Sequence, residues 1–308
     1  MTQTPETHSS SPEKYVHHII DLAKQVRDSE AYVELKGRGT PHPAAFKSVS
    51  ERMASDTKGE LNDADRALLR VVGSLGEFTQ AQHELSTIYE TAKGRYLDED
   101  EKWVARNLKK EFIIPFNHHL KEFINTHPND EIRTVSSALT NAYGTIFSRY
   151  ECIDKKDTMY RSSPSPQEAF SQIQATLDGM RHEVAAETII EATDYSYDRE
   201  VSADEDAHGN DLFIFLESGW EGLDVKASPM AVAKARSEHR FSRAVWSGLE
   251  WGDFTGIKGT GHGTLSIPYA TAVEKSDMFI QNVYEMVGRI KTERQAVARK
   301  TGKQTLRR

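Results

Sequence analysis

One segment of the chain indicates its fold class more clearly than any other: Asp211-Leu-Phe-Ile-Phe-Leu-Glu-Ser-Gly-Trp-Glu-Gly-Leu-Asp-Val-Lys226. Its first part, residues 212–216, is apolar and rich in Phe and Ile, which is typical of a strand. Two polar, glycine-containing groups then predict a turn, at 217–219 and 221–222. Apolar and polar residues alternate after this turn, so we expect a β-hairpin whose second strand carries Asp224 and Lys226 on one face.

The Asp-x-Lys string at 224–226 carries little information alone, because a chain of this length and composition contains about three Asp/Glu-x-Lys strings by chance. Four further strings of this type occur, at 34–36, 56–58, 100–102 and 154–156. All but the first lie in polar stretches typical of helix surfaces or linkers. The copy at 224–226 differs from them because Gly209-Asn-Asp211 opens an apolar strand before it.

A helix with two glutamates is predicted further upstream, over His182-Glu-Val-Ala-Ala-Glu-Thr-Ile-Ile-Glu-Ala-Thr193. Its spacing places Glu183 and Glu187 one turn apart on one face. A strand is expected next, over residues 195–201. After the Asp-x-Lys strand, the pattern predicts a second helix over residues 231–243.

In this order of helix with Glu, strand opening in Asp, strand with Asp-x-Lys, and helix, the segment from about 167 to 287 resembles the PD-(D/E)XK nuclease superfamily. Within this superfamily it is most similar to Holliday-junction resolvases and modification-dependent restriction enzymes. Asn210 stands where the superfamily often has Pro. The resemblance implies an α/β chain with a restriction-endonuclease-like α/β/α core of roughly four strands, preceded by an all-α domain.

The resemblance also implies a metal site that hydrolyses phosphodiester bonds in DNA, as an endonuclease or an exonuclease. Carboxylate oxygens suit Mg²⁺, which keeps several waters when it is bound in this way. Asp211, Asp224 and Glu187 would bind Mg²⁺ or Mn²⁺, and Glu183 is the alternative to Glu187. We favour Glu187 because the next strand then follows at the shorter distance usual in such folds. Lys226 would orient the attacking water and offset charge on the phosphorane.

A net charge of −8 argues against a basic coat over the whole surface, so DNA binding would depend on local positive strips. Candidate phosphate-binding residues follow the Asp-x-Lys strand: Lys234, Arg236, Arg240 and Lys258. DNA is therefore the expected partner, and the association of two copies of the chain is left open.

The sequence predicts two domains joined by a polar linker that contains proline. The predicted order is a disordered start, an α-helical domain, a linker, the nuclease-like domain and a basic tail, over residues 1–11, 12–150, 151–166, 167–298 and 299–308. Pro115 should kink the helix that contains it. Near the end, we expect a mobile loop at 246–263, a strand at 264–269 and a closing helix at 274–297.

No membrane attachment is expected, because no apolar run approaches the length of a bilayer span and the start of the chain lacks a signal-peptide core. The single cysteine, Cys152, fits a reducing cytoplasm. We therefore expect a cytoplasmic enzyme. Two alternatives are left open: a non-catalytic nucleic-acid-binding or protein-interaction protein with a degenerate nuclease core, and a structural protein that binds neither metal nor DNA.

Overall fold

The computed structural model describes residues 12–56, 59, 61–92, 95–147, 164–199, 210–239, 241–255 and 263–305. The expectations for the start of the chain, most of the linker, Cys152, Arg240 and Lys258 lie outside these residues. The described part is mixed α/β, mostly helical with a small four-stranded sheet, which confirms the prediction of an α/β chain. Within it, no helix is both long enough and apolar enough to cross a membrane.

The chain divides into two compact units, Met1–Leu177 and Asp178–Arg308. The described part of residues 12–147 consists of helices joined by short connections. They are α1 (Pro12–Asp28), α2 (Glu30–Gly37), α3 (His42–Ser55), α4 (Asp63–Thr91), α5 (Glu99–Leu108), a π-helical segment (Lys109–Ile113), α6 (Ile114–Thr126) and α7 (Ile132–Ile146). α8 (Pro166–Glu191) follows and contains the boundary between the units.

α4 is the central helix of the first unit and packs against α1, α3, α6 and α7. Two of its glycines allow this close packing. A Cβ atom at Gly73 would lie 2.5 Å from the Cβ atom of Ser50, and one at Gly76 would lie 2.6 Å from the ring of Phe147. Any larger residue at these positions would therefore push neighbouring elements away from α4.

The helix type changes just before Pro115, where the sequence predicts a kink. Proline has no N–H, so the carbonyl four residues earlier in the helix loses its hydrogen bond. The helix is wider over the π-helical segment Lys109–Ile113, and α6 then begins with Pro115 in its first turn. A local π-helical turn of this kind is a common way to absorb such a break.

In the residues that the structure describes, the second unit contains the end of α8, the sheet and three further helices. Its elements are β1 (Tyr197–Asp198), β2 (Leu212–Leu216), β3 (Gly219–Lys226), α9 (Pro229–Glu238), β4 (Ala244–Trp246), α10 (Trp251–Thr255) and α11 (Tyr269–Thr305). The strand order is β1-β2-β3-β4. β2 runs antiparallel to both of its neighbours, β1 and β3, whereas β4 runs parallel to β3 after a crossover through α9.

The predicted hairpin is present, but its turn is shorter than expected. Leu216 pairs with Gly219, so only two residues, Glu217 and Ser218, lie between the strands. Gly219 has a φ of 104°, and no other described residue of the turn has a positive φ. This is the geometry of a type I turn followed by glycine. The turn predicted at 221–222 is wrong, because both residues already pair with β2.

The inner face of the hairpin forms the core of the second unit. Its buried side chains belong to one apolar cluster with residues of α8 and α11: Leu212, Ile214, Leu216, Leu223, Val225, Ala185, Ala186, Ile189, Ile190, Phe279, Val283 and Met286. Because side chains alternate along a strand, this burial directs the intervening residues of β2 and β3 to the opposite face.

Several predicted elements after β3 differ from the structure. The loop expected at 246–263 contains α10, and the closing helix expected at 274–297 is the longer helix α11. The helix expected over 231–243 begins at Pro229, where Ser228 caps it, and ends at Glu238. The chain that follows joins the sheet as β4, which the sequence did not single out. The strand expected at 264–269 is absent from the described sheet, because Pro268 and Tyr269 begin α11.

We expect Gly219→Ala to destabilise the protein by about 1–2 kcal/mol, because an L side chain is strained at positive φ. Gly288→Ala is a matched control: Gly288 lies within α11, and a Cβ atom there meets nothing within 4 Å. This second change should stabilise the helix by about 1 kcal/mol. Urea unfolding of both variants measures the two effects, and equal effects would contradict the assigned turn geometry.

Candidate active site

Asp211 stands at the start of β2 and binds the neighbouring strand through both backbone and side chain. Its N–H donates to the carbonyl of Leu223 at 2.6 Å. Its Oδ2 atom accepts the N–H of Val225 at 2.6 Å. These two bonds bracket Asp224, so the structure brings the two predicted aspartates side by side on adjoining strands. β2 begins too late in the chain to offer a backbone carbonyl to the N–H of Val225. The Asp211 carboxylate accepts this hydrogen bond instead.

Asp224 and Lys226 lie on one face of β3, as the alternation predicted, and Lys226 Nζ donates to Asp224 Oδ1. On the side of β3 away from β2, the residues that flank β4 form hydrogen bonds with the backbone of Asp224 and Lys226. The N–H of Asp224 donates to the carbonyl of Arg243, and the carbonyl of Lys226 accepts the N–H of Ser247, each at 3.1 Å. The pair is therefore fixed by strands on both sides.

The pKa of Lys226 lies above its ordinary value. Burial by itself lowers this pKa, because it disfavours the charged ammonium. The charges of Asp224 and Asp211, the hydrogen bond to Asp224 and the charge of Glu183 all raise it, and together they prevail. Lys226 is therefore an ammonium at neutral pH, and it supplies positive charge to the two carboxylates beside it.

The two helix glutamates have different surroundings. Glu183 is partly buried, and its negative charge acts on Lys226. Glu187 is only 4% exposed, so it does not belong to a solvated helix face. Its charge acts on Tyr197 of β1, whose pKa is raised by burial first, then by a hydrogen bond to Glu191 and by the charges of Glu191 and Glu187. The charge of Glu183 thus acts on Lys226, and the charge of Glu187 acts on Tyr197.

The other Asp/Glu-x-Lys strings lack this geometry where the structure describes them. The strings at 34–36 and 100–102 lie in α2 and α5. Residues two apart in a helix do not face each other, so neither string can present both groups to one ligand. Lys58 and the string at 154–156 lie outside the described residues.

The candidate phosphate-binding residues on α9 have partners of their own. Lys234 is 4.0 Å from Glu238, one turn along the same helix. The pKa of Arg236 is lowered, first by burial and then by the charge of Arg289 on α11, while Glu285 and Glu293 act in the opposite direction. Arg236 therefore faces charges of α11. The other two candidates, Arg240 and Lys258, fall outside the described residues.

Arg243 is a cation near the site that the sequence did not place there. It precedes β4, and its Nη1 atom donates to the carbonyl of Gly222 at 3.4 Å and lies 3.8 Å from Glu221. A Cβ atom at Gly222 would lie 3.0 Å from this Nη1 and 2.4 Å from Oδ1 of Asn210. A glycine inside a strand indicates the close approach of another group, and Gly222 was the available signal.

The donor set suits a hard cation. Among the described residues, no three His, Cys, Asp or Glu side chains form a group that could hold a metal ion. Mg²⁺ needs fewer protein ligands, because it is usually bound through one or two carboxylates together with waters and substrate phosphates. Asp211 and Asp224 supply two carboxylates side by side, so the residues present fit Mg²⁺ or Mn²⁺.

Comparisons with known proteins identify no relative of this chain. No protein-family model matches the chain, and no curated protein and no solved structure matches it either. Any function must therefore be proposed from the geometry and chemistry of the site itself.

The contribution of Asp211 to stability can be tested by two substitutions. Asp211→Asn keeps an acceptor for the N–H of Val225, whereas Asp211→Ala removes it. We expect the alanine variant to lose about 1–3 kcal/mol of unfolding free energy and the asparagine variant to lose less. Urea unfolding measures both. Equal losses would show that the bond to Val225 is not what Asp211 contributes to stability.

Proposed function

We propose that the chain is a Mg²⁺- or Mn²⁺-dependent phosphodiesterase that cleaves DNA. One observation carries this proposal: carboxylates from adjoining strands, Asp211 and Asp224, lie together beside the ammonium of Lys226. Two carboxylates and a cation on one side of a hairpin are the groups that metal-dependent phosphodiester hydrolysis requires.

The element order supports a restriction-endonuclease-like core for the second unit. The end of α8, a strand that opens next to Asp211, a strand with Asp-x-Lys and the helix α9 follow one another within residues 178–238. This is the order on which the resemblance to the PD-(D/E)XK superfamily rests. The four-stranded sheet with β4 parallel to β3 is compatible with the α/β/α core that the resemblance implies.

Each residue has a proposed role that follows from its position. Asp211 and Asp224 would hold the metal, which would offset negative charge on the substrate and supply a water activated for attack. Lys226, an ammonium beside these carboxylates, orients the nucleophile and stabilises charge that develops on the phosphate. Glu183 is the helix carboxylate that we assign to the site, since its charge acts on Lys226, and Glu187 lies one turn further along α8.

A second candidate is a binding protein with an inactive nuclease core. It is favoured by one observation: Asp211 already accepts the Val225 N–H and Asp224 already accepts a hydrogen bond from Lys226. Two carboxylates stabilised in this way do not need a metal to balance their charge. Such a protein would bind DNA or another protein without cleaving it.

The cleavage assay compares the wild type with Lys226→Gln on circular and linear DNA, single- and double-stranded, in Mg²⁺ and in Mn²⁺. We expect the wild type to cut at least one of these substrates and the variant to be slower by at least about 100-fold, the usual effect of removing one group that stabilises transition-state charge. Asp211→Asn should behave in the same way.

Lys102→Gln is the matched control, because Lys102 ends another Asp/Glu-x-Lys string on the surface of α5. It should cut DNA like the wild type. If Lys226→Gln and Lys102→Gln are equally active, the proposed site is wrong. If the wild type cuts none of the substrates with either metal, the binding protein becomes the better explanation. Glu183→Gln and Glu187→Gln identify the helix carboxylate, and we expect the larger loss for Glu183→Gln.

A further inference from the structure

The outer face of the β2–β3 hairpin carries two large aromatic side chains in solvent. Phe215 is 49% exposed and Trp220 is 53% exposed. They are direct partners across the two strands, and their rings lie 5.3 Å apart at an interplanar angle of 62°. Aromatic rings of this size are usually covered in a folded domain, so an exposed pair on a sheet marks a surface for a partner.

This aromatic pair shares its face with the proposed site. Side chains alternate along a strand, so Trp220, Gly222, Asp224 and Lys226 all belong to one face of β3. Trp220 and Asp224 are four residues apart, or roughly 13 Å along the strand. That length corresponds to about four nucleotides of a strand stacked as in B-DNA, at about 3.4 Å each, and to fewer nucleotides of a stretched strand.

A cation lies between the two ends of this face. The guanidinium of Arg243 lies against Gly222, which is midway between Trp220 and Asp224 in sequence. Its only described ion pair is with Glu221 at 3.8 Å, and both side chains are partly exposed. Such an ion pair is weak in water, so the guanidinium can bind a phosphate at little cost.

We infer that the outer face of the hairpin, formed by Phe215, Trp220 and Gly222 together with the neighbouring Arg243, binds single-stranded DNA and leads it to the Asp211–Asp224 site. Stacking on an exposed ring requires an unpaired base, because bases of a duplex are already stacked on one another and present only their edges. An aromatic platform followed by a cation is the arrangement that binds single strands without sequence preference. This inference rests on the proposed function, since it names the substrate of that site.

The test is the affinity of the full-length protein for a fluorescein-labelled single strand of about 20 nucleotides, several times the length of the aromatic platform, and for the duplex of the same sequence. Anisotropy is measured in Ca²⁺, which takes the same oxygen ligands as Mg²⁺. We expect Trp220→Ala to weaken single-strand binding roughly tenfold, the usual contribution of one stacked base, and Trp220→Phe to restore most of the loss. Duplex binding should change less than about twofold, since a duplex has no free base face.

Arg243→Gln tests the binding of phosphate by the guanidinium. It should make the slope of log affinity against log salt shallower by about 0.7, the value for one phosphate of a single strand that the protein no longer neutralises. Trp103→Ala is the control for removing an exposed tryptophan: Trp103 lies on α5 in the first unit and is 64% exposed. This control should bind both DNAs like the wild type.

Several results would overturn the inference. One is an equal affinity of Trp220→Ala and Trp103→Ala for the single strand, and another is an equal loss for single strand and duplex. A third is that the wild type is a dimer, and that Trp220→Ala is a monomer with unchanged affinity for DNA. The outer face of the hairpin would then bind a second copy of the chain. If Trp220→Ala weakens single-strand binding but the wild type cuts no DNA, the inferred binding surface is supported and the proposed hydrolysis is wrong.

Discussion

Burial of the inner face of the β2–β3 hairpin determines where every candidate site residue on the sheet lies. Leu212, Ile214 and Leu216 on β2, with Leu223 and Val225 on β3, share one apolar cluster with α8 and α11. A slip of one residue in the pairing would turn apolar side chains to solvent and bury charged groups in their place. The register is therefore strongly fixed, and it places Asp224 and Lys226 on the outer face.

On the outer face of the hairpin, a hydrogen bond and an ion pair stabilise the charges of the two aspartates. Asp211 and Asp224 would repel each other if nothing lay between them, because like charges on neighbouring strands are destabilising. Two contacts offset this repulsion: the Val225 N–H donates to Asp211, and Lys226 donates to Asp224. Asp211 in particular has a structural task, because it completes the hydrogen bonding of β3 beside the first residue of β2. The same contacts hold both carboxylates in place.

The sequence predicted those parts of the fold that local pattern controls. The apolar run of β2 has the predicted bounds, and the alternation of β3 gave the correct face for Asp224 and Lys226. The start of β3 was misjudged because Glu221 and Gly222 are typical turn residues, and because Trp220 is exposed and so does not mark the buried face of a strand. Their pairing with β2 follows from the two-residue turn, which Gly219 permits by its positive φ.

The remaining differences come from contacts between distant residues. β4 is only three residues long and exists because it pairs with β3, so its own sequence does not distinguish it from the preceding helix. Likewise, the charge of Glu183 acts on Lys226 across the space between α8 and β3, and Arg243 contacts Gly222, a residue of another strand. Spacing along the chain contains none of this information.

The central claim is that Asp211 and Asp224 form a binding site for a divalent cation. Titration of the protein with Mn²⁺, followed by the loss of the free-ion electron paramagnetic resonance signal, tests it directly. We predict that the wild type binds a Mn²⁺ ion and that Asp224→Asn does not, while Asp100→Asn on α5 binds like the wild type. Equal binding by all three proteins, or no binding by the wild type, would contradict this claim.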